Sequence, residues 1–169
     1  MGDGKILHDC WYVAAWLHEL PGDNPVACQI LDQPIVIYRT DDGRWVAMAD
    51  RCSHRHAPLS LGRIEGNALR CMYHGLLFDP DGACVSVPGS SVIPPCSNVR
   101  TYPVAVQDGW LWIWMGDRER ADTALLPKAF GLDDPAMIMR ASQIDYAANY
   151  MLINDNLCDL SHVDFVHEA

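Results

Sequence analysis

The sequence has little positive charge and no long apolar segment. Its 12 Lys and Arg residues, of which only Lys5 and Lys128 are lysines, stand against 22 Asp and Glu residues, so the net charge is −10 with histidine neutral. This charge argues against nucleic acid or an anionic membrane surface as the main partner. The most apolar run, Trp110–Met115, is far shorter than the roughly 20 residues of a membrane-spanning helix. We therefore expect no nucleic acid partner and no membrane anchor.

An export signal and a complete disulfide framework are also missing. His8 and Asp9 interrupt the apolar pair Ile6-Leu7 before a signal segment can form. Seven cysteines cannot all pair with one another. Hydrophobic residues make up 50% of the chain and charged residues 20%, a balance typical of globular proteins. We expect a globular protein that resides in the reducing cytoplasm.

Short strands separated by tight turns are predicted through the middle of the chain. Three pairs of apolar segments flank turns rich in Asp and Gly, at 34–39 and 44–48, at 76–78 and 83–85, and at 102–106 and 110–114. Such regular hairpin patterns favour a small antiparallel β domain, which we place at residues 1–118. A loop rich in Pro, Gly and Ser is expected at 86–98.

The chain changes character after Gly116. Residues 119–140 contain Pro127 and Gly131 and are predicted as a connector with a short helix. Residues 141–169 are predicted to begin a second domain, with a strand over 141–153 and a helix over 154–169. The fold class that follows is α+β.

Two closely spaced Cys-His pairs mark a metal site. Cys52-x-His54 and Cys71-x-x-His74 each follow a predicted strand, so two neighbouring loops can offer two thiolates and two imidazoles. One structural zinc would fit this ligand set. A Rieske [2Fe–2S] cluster, with both Cys on one iron and both His on the other, also fits. Because each half supplies one Cys and one His, rather than two Cys and then two His, the pattern favours the cluster.

A second group of candidate ligands lies near the last residue. Asp159 and His162 are three residues apart and would share one face of a helix. His162 and His167 are five apart, which places them about 140° apart around an ideal helix. The two histidines can bind one metal only if the helix bends or widens near Phe165. In isolation, histidines on a polar helix are more often plain surface residues.

The two loops resemble the Rieske domain of the Rieske non-haem iron oxygenases. Arg55-His56-Ala57-Pro58-Leu59-Ser60 follows the first pair, and Tyr73-His74-Gly75-Leu76 surrounds the second histidine. The likeness begins at Trp11 and extends over nearly all of the chain. Over 154–162 the sequence is most similar to the O-demethylase branch, which includes vanillate and dicamba O-demethylases and toluenesulfonate methyl-monooxygenase.

The resemblance implies a role for each candidate residue. The cluster ligands would be Cys52, His54, Cys71 and His74. His162 and His167 would bind a mononuclear Fe(II), whose third ligand is a carboxylate that we place beyond residue 169. Asp159 would bridge His74 of one subunit to His162 of its neighbour, and Asn156 would lie near the iron.

The resemblance further implies the oxygenase component of a mono- or dioxygenase system. It would use O₂ and electrons from a separate NAD(P)H-dependent reductase, directly or through a ferredoxin, to oxidise an aromatic substrate. O-demethylation or hydroxylation of a substituted aromatic acid is the expected reaction. Since no G-x-G-x-x-G follows a strand, we predict that this chain itself binds no NAD(P)H.

The intersubunit bridge implies a homo-oligomer, and the resemblance implies that it is a homotrimer in a bacterial cytoplasm. The resemblance also places residues 141–169 at the beginning of a helix-grip-like catalytic domain. Either the chain is the N-terminal piece of a protein about twice as long or it lacks a competent iron site, and the absence of a terminator after the last predicted helix favours the first. The main alternative is a Rieske ferredoxin-type electron carrier without a catalytic iron. A zinc-stapled binding module is a further alternative. A carrier would need neither residues 141–169 nor their histidines.

Overall fold

A computed structural model describes residues 7–132 and 134–167. The described residues form two compact units, one ending at Met137 and one beginning at Ile138. No helix among the described residues is both long enough and apolar enough to cross a membrane.

The first unit consists of short strands in three sheets. In chain order the strands are β1 (Cys10–Trp16), β2 (Val26–Ile30), β3 (Gln33–Arg39), β4 (Trp45–Ala49), β5 (Arg63–Glu65), β6 (Ala68–Arg70), β7 (Leu77–Phe78), β8 (Cys84–Ser86), β9 (Thr101–Tyr102), β10 (Val104–Gln107) and β11 (Trp110–Met115). The sheet orders are β1-β11-β10, β2-β3-β4-β9 and β5-β6-β7-β8. All strand pairs are antiparallel, which confirms the predicted fold class.

The predicted hairpins form because their turn residues suit the backbone. Asp108 and Gly109 connect β10 to β11 with φ values of 56° and 81°. A two-residue turn with positive φ at both positions matches the right-handed twist of the flanking strands. Between β7 and β8, Asp79 Oδ1 accepts hydrogen bonds from the N–H groups of Asp81 and Ala83, at 3.0 and 2.8 Å. This carboxylate takes the place of a backbone acceptor within the turn.

The predicted strand over 102–106 is wrong in one respect. Pro103 divides it into β9 and β10, which belong to different sheets. Tyr102 pairs with Ala47 of β4, whereas Val104 pairs with Ile113 of β11. Proline has no N–H to donate to a neighbouring strand, so the chain changes sheets at this position.

The central strand β3 is buried on both faces and separates two apolar cores. Ile35 and Ile37 pack with Leu111 and Ile113 on one side. On the other side lies what we call the loop-side core. Its buried members are Val36, Tyr38, Val46, Met48, Cys52, Leu59, Leu69, Cys71, Leu76, Phe78, Cys84 and Val99. Because both predicted cysteine ligands belong to this core, the candidate site rests directly on it.

The predicted connector packs against the strands. Trp11 Nε1 donates to the carbonyl of Asp122 at 2.8 Å, and Gln107 Nε2 donates to that of Pro127 at 2.7 Å. In place of the expected short helix, this segment contains 3-10 turns at Arg118–Arg120 and Thr123–Leu125. The predicted division into 1–118, 119–140 and 141–169 stays a prediction.

The second unit is helical, and two expectations about it are wrong. Residues 141–149 contain no strand, and helix α1 (Tyr150–Cys158) starts where Asn149 Oδ1 accepts a hydrogen bond from Met151 N. The predicted helix over 154–169 is interrupted at Asp159, which has φ −120° and ψ 92°. A 3-10 turn (Leu160–His162) and the short helix α2 (Val163–Val166) follow. Residues 168–169 of that prediction lie outside the described part of the chain.

Candidate metal centres

The first ligand loop follows β4 and is fastened by a buried carboxylate. Asp50 Oδ1 accepts a hydrogen bond from Ser60 N at 2.7 Å, and its Oδ2 accepts one from Ser60 Oγ at 2.6 Å. These bonds join the two ends of the segment that carries Cys52 and His54. A buried carboxylate needs such donors because it has left water. Sequence reasoning missed Asp50 and its contact with Ser60, since nothing in their spacing shows that the two residues meet.

The two ligand loops share one backbone pattern. In each loop the cysteine N–H donates to the carbonyl five residues on, and the N–H four residues on donates to the cysteine carbonyl. The four distances are 2.9 Å for Cys52 to Ala57, 2.9 Å for His56 to Cys52, 2.8 Å for Cys71 to Leu76 and 3.1 Å for Gly75 to Cys71. The residue four positions after each cysteine has a positive φ, 56° at His56 and 74° at Gly75. Two similar loops therefore carry similar ligands.

The loops bring together all four predicted cluster ligands. Cys52 and Cys71 are 2% and 1% exposed and belong to the loop-side core. His54 and His74 are exposed, and their ring centroids lie 4.5 Å apart with the planes at 65°. The donors thus form an inner pair of thiols and an outer pair of imidazoles. This donor set fits a [2Fe–2S] cluster with sulfur ligands on the inner iron and nitrogen ligands on the outer iron.

Burial affects the protonation of Cys52. Loss of water around the sulfur, together with the adjacent Cys71 thiol, raises the pKa of Cys52, while the backbone N–H of His54 opposes this shift. The thiolate form is the one that binds metal, so a metal has to displace the proton. Metal loading at Cys52 therefore releases a proton.

A third loop contacts both ligand loops. It is the predicted loop rich in Pro, Gly and Ser. The backbone carbonyl of Ser97 in this loop accepts a 2.6 Å hydrogen bond from Ser53 Oγ. Pro88 at its other end is so near Gly75 that a Cβ on Gly75 would lie 2.9 Å from Pro88 Cγ. The third loop consequently limits how far either ligand loop can move.

The second candidate site lies after α1. His162 ends the 3-10 turn and His167 directly follows α2, with ring centroids 5.6 Å apart and planes at 61°. The break at Asp159 precedes both histidines, whereas α2 between them ends at His167, which has φ −106° and ψ 74°; the departure from helix between the two rings therefore lies at His167 rather than near Phe165. Among residues 7–132 and 134–167, no three His, Cys, Asp or Glu side chains group as ligands of one metal ion. The two histidines are therefore a candidate pair of ligands.

Asp159 has a local structural role at the break. Its Oδ1 accepts hydrogen bonds from Ser161 N at 3.0 Å and Ser161 Oγ at 2.6 Å, and this cap begins the 3-10 turn. The Ser161 hydrogen bonds hold the pKa of the Asp159 carboxyl below its ordinary value, so it is ionised at neutral pH. His162 Nδ1 lies 2.8 Å from the Asp159 carbonyl oxygen. The other predicted residue, Asn156, lies on α1 and is exposed.

Family models match both parts of the chain. The model described as Rieske [2Fe-2S] domain matches residues 10–103. A second model, described as vanillate O-demethylase oxygenase C-terminal domain, matches residues 146–169. The first match includes all four predicted cluster ligands, and the second includes Asp159 and both predicted iron ligands.

Individual proteins give the same result. The iron–sulfur subunit of the toluene-4-sulfonate monooxygenase system of Comamonas testosteroni is 46% identical over 162 residues, covering 96% of this chain and 47% of that protein. The oxygenase component of dicamba O-demethylase from Stenotrophomonas maltophilia is 42% identical over 165 residues, covering 97% and 48%. A crystal structure of dicamba monooxygenase with non-heme iron and dicamba has a TM-score of 0.86 and 41% identity, covering 95% and 49%. The chain spans about half the length of these relatives.

Proposed function

Because the chain belongs to the Rieske [2Fe–2S] domain family, we propose that it is the part of a Rieske non-haem iron oxygenase that holds the cluster and two ligands of the catalytic iron. The observation that carries this proposal is the arrangement of Cys52, Cys71, His54 and His74 as a buried thiol pair beneath an exposed imidazole pair. The match of 146–169 to an oxygenase C-terminal domain favours an oxygenase over an electron carrier.

In this proposal His162 and His167 bind the mononuclear iron, and a carboxylate from beyond residue 169 is the third ligand. When bound, the cluster supplies single electrons and the mononuclear iron activates O₂. The residues of this chain do the positioning. The exposed His54 and His74 rings would form the surface through which the cluster is reached, and the buried Cys52 and Cys71 would hold its other side against the loop-side core.

Asp159 and Asn156 are proposed to support the iron site. The Asp159 carboxylate is ionised and exposed, so it can accept hydrogen bonds from the His74 ring of a neighbouring subunit and from an iron-bound imidazole. This contact requires at least a second copy of the chain, and a homotrimer closes such head-to-tail contacts into a ring. A carboxylate between two metal-bound imidazoles orients both rings.

The proposed substrate is an aromatic acid that is O-demethylated or hydroxylated. Support comes from relatives named for toluene-4-sulfonate and dicamba and from the family model named for vanillate. The electrons are proposed to come from a separate NAD(P)H-dependent reductase, directly or through a ferredoxin, in the cytoplasm.

The cluster is tested on the purified chain by iron and acid-labile sulfide analysis and by EPR after reduction. We expect about two iron and two sulfide per cluster and a spectrum with nitrogen couplings from histidine. His74→Ala should abolish that spectrum. His56→Asn should leave the spectrum intact. His56 is an exposed histidine of the first loop, and asparagine tolerates the positive φ of that position. A colourless protein with one zinc would refute the proposal.

The oxygenase activity is tested with O₂, NADH and a reductase over a panel of methoxylated and methylated aromatic acids. Release of formaldehyde coupled to NADH consumption is the expected result for an O-demethylase. About three iron per complete subunit distinguish the oxygenase from a two-iron electron carrier. A protein that is reduced by the reductase but consumes no substrate would support the carrier instead.

A further inference from the structure

An arginine outside the predicted ligand set contacts the second ligand loop. Arg70 is the last residue of β6 and directly precedes Cys71. Its Nη1 donates a 2.7 Å hydrogen bond to the carbonyl oxygen of Gly75, the residue that follows His74. The guanidinium thus joins the two ends of the loop that presents His74.

Glu65 holds the arginine in this position. Arg70 Nε donates to Glu65 Oε1 at 2.7 Å, and Arg70 Nη2 lies 2.6 Å from Glu65 Oε2. This forked contact fixes the plane of the guanidinium, which a single hydrogen bond would not do. The Arg70 side chain is only 20% exposed. The pair is therefore screened less by solvent than a fully exposed ion pair.

The backbone of Arg70 is equally restricted. Arg70 pairs with Arg63 across the β5–β6 hairpin. A Cβ on Gly62 would lie 2.1 Å from the Arg70 carbonyl oxygen, so the two main chains are in close contact. Gly62 follows the first ligand loop, and Arg70 begins the second. A rigid arginine at this junction can hold the loop that it contacts in a fixed position.

Gly75 is the place where such a constraint is needed. It has φ 74°, and glycine has more conformational freedom than any other residue. At the equivalent position the first loop has His56, whose side chain limits the backbone. The peptide after His74 would rotate more easily without a partner for its carbonyl. The bond from Arg70 supplies that partner.

We propose that Arg70 is a positioning residue for His74. By holding the Gly75 carbonyl it fixes the orientation in which the His74 imidazole faces the outer iron, and Glu65 keeps it in place. The proposal rests on the proposed function, because it takes His74 as a cluster ligand. The positive charge is also hydrogen-bonded to Gly75, the residue after that ligand, so its removal disfavours the added electron and lowers the reduction potential.

Charge and geometry are separated by two substitutions. Arg70→Gln removes the charge and the fork, whereas Arg70→Lys keeps the charge but supplies no planar fork. Arg63→Gln is the matched control, because Arg63 binds the same Glu65 carboxylate at 2.8 Å from a side chain that is 67% exposed. The readouts are iron content, the midpoint potential and the ¹⁴N couplings of the reduced cluster in pulsed EPR.

We expect Arg70→Gln to load two iron, to shift the potential downward and to change the ¹⁴N coupling of one histidine. Arg70→Lys should restore most of the potential but not the coupling, and Arg63→Gln should match the wild type. Unchanged couplings and potential in Arg70→Gln, or equal changes in Arg63→Gln, would overturn the proposal. If Arg70→Gln does not load iron, Arg70→Lys decides, and wild-type couplings there refute the positioning role. A wild-type chain without a cluster would instead refute the proposed function.

Discussion

Ser53 and Ser97 connect two loops that are far apart in the sequence. Ser53 Oγ donates a 2.6 Å hydrogen bond to the Ser97 carbonyl oxygen. Ser53 lies between Cys52 and His54, while Ser97 closes its own loop by a 2.7 Å bond from its Oγ to the Pro94 carbonyl. A single hydroxyl group therefore ties the third loop to the first ligand loop.

Ser53→Ala should loosen the third loop without removing a ligand. We expect a loss of about 1 kcal/mol in the free energy of unfolding, the usual net value of such a bond. Backbone amides around Ser97 should exchange faster with deuterium, while iron content stays the same. Ser90→Ala is the control, because Ser90 Oγ bonds the Val92 carbonyl within its own loop. Equal exchange changes in both variants would show that the connection has no special effect.

Gly75→Ala should be more damaging than Gly89→Ala. Both glycines have positive φ, 74° and 76°, so alanine at either position costs about 1–2 kcal/mol. A Cβ at Gly75 also meets Pro88, whereas a Cβ at Gly89 has no atom within 4 Å. We expect a lower melting temperature and poorer cluster loading in the Gly75 variant. Similar losses in both variants would mean that Pro88 yields to the new methyl group.

The 3-10 turn Leu59–Leu61 offers a direct test of the loop-side core. Leu59 is 0% exposed and packs in that core, while Leu61 in the same turn is 64% exposed. Leu59→Ala should cost about 2–5 kcal/mol because it leaves a cavity. Leu61→Ala should stay within about 0.5 kcal/mol of the wild type. Denaturant unfolding of the iron-loaded protein measures both. A small effect at Leu59 would mean that the core refills the space.

The sequence predicts well what local chemistry decides. The Asp108-Gly109 turn and the Asp79 turn specify their hairpins through short-range backbone preferences. The spacing of Cys52-x-His54 and Cys71-x-x-His74 locates the ligand loops, because the cysteine and the histidine of each pair are only two or three residues apart.

Contacts between distant segments could not be predicted in this way. Strand β1 was missed because it pairs with β11, and its half-buried residues show no clear alternation. The Asp50–Ser60 and Arg70–Gly75 contacts depend on where loops fold back. The break at Asp159 was missed because helical spacing continues through it, although an Asp side chain that bonds nearby N–H groups competes with helix.

The thiols outside the cluster should differ in reactivity. Burial, with a smaller contribution from Asp50, raises the pKa of Cys28 to about 11. At pH 8 only about one Cys28 in a thousand is then a thiolate, the form that reacts with iodoacetamide. Cys96 and Cys158 are exposed and should be alkylated first. Mass spectrometry of the labelled protein measures the order.

The same pKa sets a dependence on pH. Since the folded state holds the Cys28 proton more tightly than the unfolded state, its contribution to stability is complete below about pH 9 and declines as the pH rises toward 11. Because the thiolate fraction rises with pH, labelling of Cys28 should accelerate about tenfold for each pH unit between pH 8 and 10 and less steeply as the pH approaches 11. Labelling of Cys28 as fast as Cys96 at pH 8 would contradict the assigned burial.

Asp159→Asn separates the capping role of Asp159 from its proposed bridging role. Asparagine caps a helix about as well as aspartate, because its amide oxygen accepts the same bonds from Ser161. It lacks the negative charge that a bridge between two metal-bound imidazoles requires. We expect the variant of the complete enzyme to keep both metals and its melting temperature but to lose nearly all turnover. Ser161→Ala, which weakens the cap and keeps the carboxylate, should lower stability by about 1 kcal/mol and retain activity. Normal turnover in Asp159→Asn would show that the carboxylate serves only the cap.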